Sequence, residues 1–272
     1  MELDKKNVVV TGGARGIGAA MACRFANEGA NIVVADLDQS ACNHTANKCG
    51  GVGFACDVTQ EDQVKALVMA AENHFGSIDL FCSNAGICPD EPSHAASASN
   101  KTWSRCWDVH VMAHVYAARA VLPGMLERGD GYLLQMSSAA GLLSQIGNAA
   151  YSATKHAALG FAESLAITHG NDGIKVSVIC PQYVATPMLG YEDNNANSDV
   201  PGVITPDELA DSVVEGVREE AFLILPHPDV TKYIQFKSAN YDKWLEAMRT
   251  LRGDIIDNIG STELQAMHKL VS

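Results

Sequence analysis

Three side chains in the middle of the sequence, Ser138, Tyr151 and Lys155, have the types and spacing needed to move a proton. Tyr151 and Lys155 lie four residues apart in a segment with helical spacing, so they share one helix face. A phenol has an ordinary pKa of about 10, and a nearby ammonium favours the phenolate, which makes the tyrosine a usable acid and base. Such a pair also occurs on the surface of many helices. Ser138 favours catalysis, because it follows the apolar run Gly131–Met136 and would stand at a strand's carboxyl end.

A glycine-rich turn near the start of the chain could hold a phosphate group. Gly12, Gly16 and Gly18 follow the apolar residues 8–10 in a Gly-x-x-x-Gly-x-Gly pattern, directly before a segment with helical spacing. Glycines allow a tight turn, and the backbone N–H groups of a helix N-terminus attract the charge of a pyrophosphate. Alone, the same pattern is compatible with a structural turn that binds nothing.

Asp36 favours a dinucleotide site over a bare turn, because it closes the second apolar run 18 residues after Gly18. A carboxylate there accepts hydrogen bonds from both adenosine ribose hydroxyls and repels a 2′-phosphate. Arg15 could pair with that phosphate, or it could form an ion pair with Asp36 or contact the pyrophosphate. Together these residues predict NAD rather than NADP as the cofactor.

The elements that would position these residues alternate along the chain. Apolar runs typical of buried strands occupy residues 7–11, 31–35, 51–55, 80–83, 131–136, 175–179 and 222–225. Segments with helical spacing occupy residues 17–28, 60–75, 103–128, 151–168 and 206–219. This alternation predicts an α/β protein with a doubly wound, mostly parallel sheet. We expect a single domain over residues 1–272, because the glycine turn and the Tyr-Lys helix belong to the same sheet.

Composition excludes several classes of function. The chain has 272 residues and a formal charge of −13 at pH 7, so its surface should repel nucleic acid. No apolar run approaches the ~20 residues that cross a bilayer, and no secretory signal is visible. The 8 cysteines therefore predict free thiols in a cytoplasmic protein. Cys42, Cys49 and Cys56 recur near His44, but no Cys-x-x-Cys pair anchors a metal, and we expect no metal site.

Taken together, the motifs resemble the classical short-chain dehydrogenases/reductases. The glycine spacing matches that family, as do Asp57-Val58, Asn84-Ala85-Gly86 and the set Ser138, Tyr151 and Lys155, and the motifs span residues 5–225. The resemblance implies a Rossmann-type, doubly wound, seven-stranded parallel sheet with helices on both faces. It also implies a nicotinamide dinucleotide lying across the carboxyl edge of that sheet.

Roles for individual residues follow from the resemblance. Tyr151 would take the carbinol proton as hydride leaves for C4 of the nicotinamide, Lys155 would hold the ribose and lower the pKa of the tyrosine, and Ser138 would hydrogen-bond the substrate oxygen. Asp57 and Val58 would hold the adenine. The residues that the resemblance places against the cofactor are Gly12, Arg15, Gly16, Ile17, Gly18, Asp36, Leu37, Asp57, Val58, Asn84, Ala85, Gly86, Tyr151, Lys155, Pro181, Val184 and Thr186.

Two positions depart from the family pattern. His110 stands where many relatives have an asparagine that helps to organise a proton relay, and it could support that relay or be a packing histidine. The usual Pro-Gly after the sixth strand is Pro181-Gln182, so a side chain stands beside the nicotinamide. Gln182 could contact substrate or point to solvent.

The residues expected to line a substrate pocket are mostly apolar. They suit a hydrophobic secondary alcohol or ketone, such as a ring alcohol, an aryl carbinol or a steroid. Some of them could instead form core or subunit contacts. The polar stretch at residues 191–199 is a candidate lid. The predicted pocket residues are Ser138, Ala140, Gln145, Gln182, Tyr183 and Met188, with Leu189 and Tyr191 beside them.

The chain beyond residue 225 forms a C-terminal extension, residues 226–272. Aromatic and apolar side chains at helical spacing in residues 226–251 favour core or a subunit interface over a ligand site. Because relatives are commonly homotetramers or homodimers, the resemblance implies a homo-oligomer. The dipeptide His227-Pro228 is interpreted as a turn.

Three functions compete at this stage. The first is an NAD-dependent alcohol dehydrogenase acting on a small-molecule substrate. The second is an NADP(H)-dependent biosynthetic ketoreductase of the same fold. The third is a non-catalytic nucleotide-binding regulator, which the intact set of Ser138, Tyr151 and Lys155 disfavours.

Overall fold

A single parallel sheet forms the centre of the computed structural model, which describes residues 1–89, 91, 93–193 and 199–270. Within these residues the main sheet has seven strands, and neighbouring strands run parallel. The strands of the chain are β1 (Asn7–Thr11), β2 (Asn31–Asp36), β3 (Val52–Ala55), β4 (Leu80–Ser83), β5 (Gly131–Met136), β6 (Ile174–Ile179), the short pair β7 (Tyr183–Val184) and β8 (Val203–Ile204), and β9 (Leu223–Ile224). The main sheet has the order β3-β2-β1-β4-β5-β6-β9.

Helices cover both faces of the sheet. One layer holds the first, second and seventh helices, and the other holds the third, fifth and sixth. The helices are α1 (Gly16–Asn27), α2 (Gln39–Cys49), α3 (Glu61–Phe75), α4 (Asn100–Trp107), α5 (Ala113–Arg128), α6 (Ala149–His169), α7 (Pro206–Arg218), α8 (Asp229–Ala239), α9 (Tyr241–Ile259) and α10 (Leu264–Met267). The predicted α/β fold, with a doubly wound seven-stranded sheet in one domain, is confirmed.

Alternation within each strand explains why the sheet is covered twice. In β1, Val8 and Val10 belong to the core beneath α1 and α7, while Val9 belongs to the core beneath α3 and α5. Successive side chains of a strand point to opposite faces, so a continuous apolar run needs an apolar layer on each side. The strand Val8-Val9-Val10 is buried on both faces for this reason.

Two helical segments differ from the sequence-based expectation. The predicted helix at residues 103–128 is three elements, because α4 passes into a π-helical turn, Asp108–Met112, before α5 begins. Apolar spacing cannot reveal such a turn, since it inserts a residue without breaking the helix. The helix α2 was not predicted, because its sequence is mostly polar and it buries only Cys42, Thr45 and Ala46.

The order of the strands creates the crevice where ligands bind in such sheets. The chain runs outward from β1 to β3, then returns and continues from β4, so β1 and β4 are neighbours whose following loops diverge. Ligands of open α/β sheets lie at this switch point, beyond the carboxyl ends of the strands. Thr11 joins the two strands here, because its hydroxyl donates to Cys82 O at 3.3 Å and accepts from Asn84 N–H at 3.0 Å.

The helices that follow β9 pack back onto the loop after Ser138. Lys237 of α8 donates to the carbonyls of Leu142 and Leu143 at 2.8 and 3.0 Å, and its ammonium lies 4.8 Å from the ring of Trp244. The predicted single helical stretch is broken at Asn240, whose side chain caps α9. No helix within the described residues combines the length and apolarity needed to span a bilayer.

Candidate active site

Ser138, Tyr151 and Lys155 meet at the carboxyl end of β5. Asn148 fixes where α6 begins, because its side-chain oxygen accepts a hydrogen bond from Tyr151 N–H at 3.0 Å. The Ser138 side chain lies close enough to the Tyr151 phenol to affect its pKa, and its hydroxyl donates to Pro181 O at 3.4 Å. The Lys155 ammonium lies 5.6 Å from the centroid of the Tyr151 ring. The structure therefore brings together the three side chains that the sequence singled out.

Lys155 is a buried cation whose ammonium has more N–H donors than the one that binds Met136 O. Only 2% of the residue is exposed, and its Nζ donates to Met136 O at 3.0 Å. Ser137 holds the backbone beneath it, since its hydroxyl donates to Lys155 O at 3.0 Å. Burial lowers the pKa of Lys155 to about 8. An ammonium has three N–H donors, so this one can serve acceptors in the pocket besides the Met136 carbonyl.

Burial sets the direction of the pKa of Tyr151. It raises the pKa of the phenol, and the nearby Ser138 side chain opposes that rise. We predicted that Lys155 would lower the pKa of Tyr151, but this pKa is raised. The reason is desolvation: an enclosed site disfavours the phenolate and the ammonium alike. The raised pKa favours the protonated phenol at neutral pH.

His110 lies in the π-helical turn, directly against the reactive tyrosine. Its Nε2 accepts a hydrogen bond from Ile87 N–H at 3.1 Å, so the ring proton is on Nδ1, which donates to Thr154 Oγ1 at 2.9 Å. The ring meets that of Tyr151 edge-on at 5.4 Å. Burial lowers the pKa of His110 to about 2. Both ring nitrogens are therefore committed within the protein, and the imidazole is neutral.

His114, one helical turn beyond His110, is also buried and neutral. Among the described residues its two ring nitrogens have no hydrogen-bond partner at good geometry, and it lines a small cavity with Thr11 and Ser83. Burial lowers the pKa of His114 from 6.5 to about 4. A buried histidine that resists protonation couples stability to pH.

We expect this histidine to make the fold sensitive to acid. As the pH falls below 6.5, the unfolded chain binds a proton on His114 while the folded protein does not, so stability is lost between pH 6.5 and pH 4. Between pH 7 and pH 5 the loss is about 2 kcal/mol for one such group. Urea unfolding at both pH values should therefore show a smaller pH dependence for His114→Leu than for the natural chain. Equal pH dependence in the two proteins would contradict this.

The glycine turn after β1 is shaped as a cradle for an anion. Gly12 has a φ of +62°, and a Cβ there would lie 2.8 Å from Ala85 Cα. Gly16 has a φ of +54°, and a Cβ there would meet only Thr186, at 3.5 Å. The N–H of Gly16 already binds an anion of this chain, the carboxylate of Asp193, at 3.1 Å. These residues fit a pyrophosphate at the N-terminus of α1.

Asp36 closes the cradle on the side of β2. Its two carboxylate oxygens accept hydrogen bonds from Ala14 N–H at 3.1 Å and from Leu37 N–H at 2.8 Å. Arg15 is exposed, and among the described residues no ion pair joins it to Asp36. The carboxylate is thus held in place by backbone donors, at the position expected for the adenosine ribose.

The other residues expected to contact the cofactor follow strands of the same edge. Asp57 Oδ1 accepts from the N–H and the hydroxyl of Thr59, which forms a tight turn after β3. Asn84 Nδ2 donates to the carbonyls of Thr11 and Gly12, so it braces the glycine turn. Gly86 leaves room beside the reactive groups, since a Cβ there would lie 3.7 Å from Lys155 Nζ.

The predicted pocket residues do not all share one environment. Ala140 and Tyr183 are buried, whereas Met188 is 40% exposed. Gln182 is partly buried, and its backbone N–H donates to His227 Nδ1 at 3.2 Å. Residues 194–198 of the candidate lid lie outside the described residues.

His227 is a structural residue that sequence reasoning treated as a plain turn. The histidine is buried, and its Nε2 donates to Tyr183 O at 3.0 Å while its Nδ1 accepts from Gln182. The ring therefore clamps the backbone that replaces the usual Pro-Gly. A histidine directly after the last sheet strand was the available signal. Among the described residues, no three His, Cys, Asp or Glu side chains lie close enough to hold a metal ion.

Known proteins resemble this chain along most of its length. The family model described as short chain dehydrogenase matches residues 6–197. A relative from Streptomyces exfoliatus, 1-deoxy-11-beta-hydroxypentalenate dehydrogenase, is 32% identical over 250 residues, which are 90% of each chain. Another, 2-(S)-hydroxypropyl-CoM dehydrogenase 3 from Xanthobacter autotrophicus, is 30% identical over 239 residues, 82% of this chain and 93% of the relative.

A solved structure shares the fold. The short chain dehydrogenase/reductase from Burkholderia phymatum in complex with NAD superposes with a TM-score of 0.80 and 26% identity, covering 89% of this chain and 96% of that one. The chain belongs to the short-chain dehydrogenase/reductase family of oxidoreductases.

Proposed function

We propose that this protein is an NAD-dependent oxidoreductase that transfers a hydride between a hydrophobic secondary alcohol and its ketone. The alcohol would be a ring alcohol, an aryl carbinol or a steroid-like molecule. The observation that carries the proposal is that Ser138, Tyr151 and Lys155 lie close together at the carboxyl end of β5, at the sheet edge that also presents the glycine cradle. An acid, an oxygen-binding hydroxyl and a cation beside a nucleotide cradle suit proton transfer coupled to hydride transfer.

The residues of the chain divide the work among them. The nicotinamide, when bound, supplies the carbon that accepts or donates hydride. Tyr151 gives its proton to the ketone oxygen in reduction and takes it from the carbinol oxygen in oxidation. Ser138 donates a hydrogen bond to the same oxygen and stabilises the charge that develops there. The donors of Lys155 not used by Met136 O would hold the ribose hydroxyls.

Asp36 supports NAD over NADP. Its carboxylate is fixed by the N–H groups of Ala14 and Leu37, so it cannot swing away from a ligand without losing both hydrogen bonds. In this position it accepts hydrogen bonds from ribose hydroxyls and repels a 2′-phosphate. Val184 and Thr186, both buried after β6, are proposed to hold the carboxamide end, with Pro181 beside them.

We assign His110 a positioning role rather than a relay. Its ring is neutral and bonded at both nitrogens, and through Thr154 it supports the carbonyl of Ala150, at the start of the helix that carries Tyr151. His110→Gln is expected to lower kcat by about tenfold through misplacement of Tyr151, without changing the shape of the pH profile. A profile that loses one ionisation in the variant would favour the relay instead.

An assay of a panel of secondary alcohols with NAD and NADP in parallel tests the proposal. Formation of the reduced dinucleotide is measured by its fluorescence. The expected result is NADH formation with apolar cyclic or aryl alcohols and little formation of NADPH. Binding of NADH without turnover of any alcohol or ketone would contradict the proposed activity and would favour a nucleotide-binding regulator.

One observation favours a second candidate, an NADP(H)-dependent ketoreductase. Arg15 is exposed beside Asp36 and makes no ion pair with it among the described residues, so its guanidinium can meet a 2′-phosphate. The parallel assay with NADP separates the two candidates.

We also propose that the protein is a cytoplasmic homodimer or homotetramer. Among the described residues no disulfide joins two cysteines, and apolar side chains of α8 and α9, including Phe236 and Tyr241, are exposed in the single chain. Light scattering that gives the mass of one chain would contradict the oligomer.

A further inference from the structure

The segment that follows α9 turns back toward the loop before Tyr151 and the loop after β6. Gly260, with a φ of +72°, ends α9, and residues 261–268, which we name the C-terminal cap, run across the pocket side of the molecule. Within the cap, Met267 and His268 are 1% and 0% exposed. Such deep burial shows that tertiary contacts hold this segment.

One side of the cap contacts the start of the catalytic helix. Gly147, which precedes the capping residue Asn148, has a φ of +75°, and a Cβ at this position would lie 2.8 Å from Thr262 O. Only glycine fits that approach. The cap therefore packs against the loop that sets the position of Tyr151.

The other side of the cap contacts the substrate loop after β6. His268 Nδ1 donates to Leu264 O at 3.1 Å, so its Nε2 is free to accept the hydroxyl proton of Tyr191 at 3.0 Å. The imidazole also lies 6.1 Å from the ring of Tyr183. Leu264 packs against the cluster that contains Tyr183 and Leu189.

Tyr183 connects this contact to the reactive groups. Burial raises the pKa of Tyr183 and of Tyr151, and the thiol of Cys88 adds to the rise in both, so each tyrosine lies near this thiol. The two tyrosines therefore lie on the same enclosed region. The cap covers the side of that region formed by Tyr183 and Tyr191.

We propose that the C-terminal cap is the distal wall of the substrate site and that His268, held by Tyr191, limits the size of the substrate. This deepens the proposed function, on which it rests. Because the imidazole is neutral and hydrogen-bonded within the wall, the far end of the substrate should be apolar and uncharged. The cap favours a compact ring alcohol over an extended one such as a steroid.

Removing the wall should change size selection rather than chemistry. His268→Ala is expected to weaken binding of small cyclic ketones about tenfold, since they lose apolar contact, and to strengthen binding of large ones. Tyr191→Phe removes only the hydroxyl that holds His268, and it should shift selectivity in the same direction by less. The exposed His44 provides a matched control, His44→Ala.

The test measures calorimetric Kd values for a size series of cyclic ketones on the full chain with NADH, and kcat and KM for the matching alcohols. The inference expects the ratio of large to small Kd values for the ketones to fall in His268→Ala and, by less, in Tyr191→Phe, with the Kd of NADH unchanged. A ratio equal to that of the natural chain, or weaker binding of every ketone and of NADH alike, would overturn it. So would a natural chain that binds no ketone. Size-selective ketone binding without any turnover would overturn the proposed function, but the inference that the C-terminal cap limits ligand size would still hold.

Discussion

Tyr151→Phe is expected to lower kcat for alcohol oxidation and ketone reduction by about 10²-fold to 10⁴-fold, the range that a positioned general acid or base contributes. The substitution removes one oxygen atom and keeps the ring, so the edge-on contact with His110 at 5.4 Å remains. The donors of Lys155 and the backbone of α6 are also unchanged. Steady-state kinetics with the best alcohol of the panel measures the effect.

The affinity for NADH separates loss of chemistry from loss of structure. It should be the same in Tyr151→Phe and in the natural chain, because the cradle at Gly16 and Asp36 lies outside the substitution. Tyr233→Phe, which changes an exposed tyrosine of α8, is the matched control and should retain full activity. A substantial kcat in Tyr151→Phe would remove this tyrosine from the catalytic role.

Asp36→Ala is expected to reverse the preference between dinucleotides. The hydrogen bonds that a carboxylate accepts from the ribose hydroxyls contribute about 3 kcal/mol, so kcat/KM with NAD should fall about 10²-fold. Removal of the charge also frees Ala14 N–H and Leu37 N–H, which now donate to the carboxylate. Together with Arg15 these donors would face a 2′-phosphate, and kcat/KM with NADP should rise about tenfold.

The control for Asp36→Ala is the loss of a carboxylate that lies away from the glycine cradle. Asp62→Asn changes a fully exposed side chain of α3 and should leave both kcat/KM values unaltered. If Asp36→Ala lowers kcat/KM with NAD and with NADP equally, the carboxylate supports the loop and does not select the dinucleotide.

The sequence predicted the sheet well because both faces of it are covered. Continuous apolar runs such as Val8-Val9-Val10 have few alternatives to a doubly buried strand, and their alternation with helical segments leaves one topology. The meeting of Ser138 with the Tyr-Lys helix also followed from sequence, since a strand end and a helix start are local features.

Features that depend on distant contacts were not predictable. The polarity of α2 hides it, because the capping by Asp38 and the small buried face of Cys42 and Ala46 carry little periodic signal. The roles of His227 and His268 arise from partners 44 and 77 residues away, Tyr183 and Tyr191. Spacing along the chain contains no information on such pairs.

The direction of the Tyr151 pKa shows a different limit. Sequence reasoning placed a cation near the phenol and predicted a lowered pKa, but the sign depends on how deeply both groups are buried. The structure buries Lys155 as well. Burial raises the pKa of Tyr151 and lowers the pKa of Lys155, so it favours the neutral form of each group. Burial is a property of the whole fold, so the helix that carries the pair cannot reveal it.

The central claim, that Tyr151 moves a proton while hydride passes between an alcohol carbon and the nicotinamide, has one direct test. The protein is incubated with NAD and an apolar secondary alcohol that carries deuterium on its carbinol carbon, and the reduced dinucleotide is analysed by mass spectrometry. The account predicts one deuterium in each NADH formed, with formation almost abolished in Tyr151→Phe. NADH without deuterium, or equal formation of deuterated NADH in the variant, would contradict it.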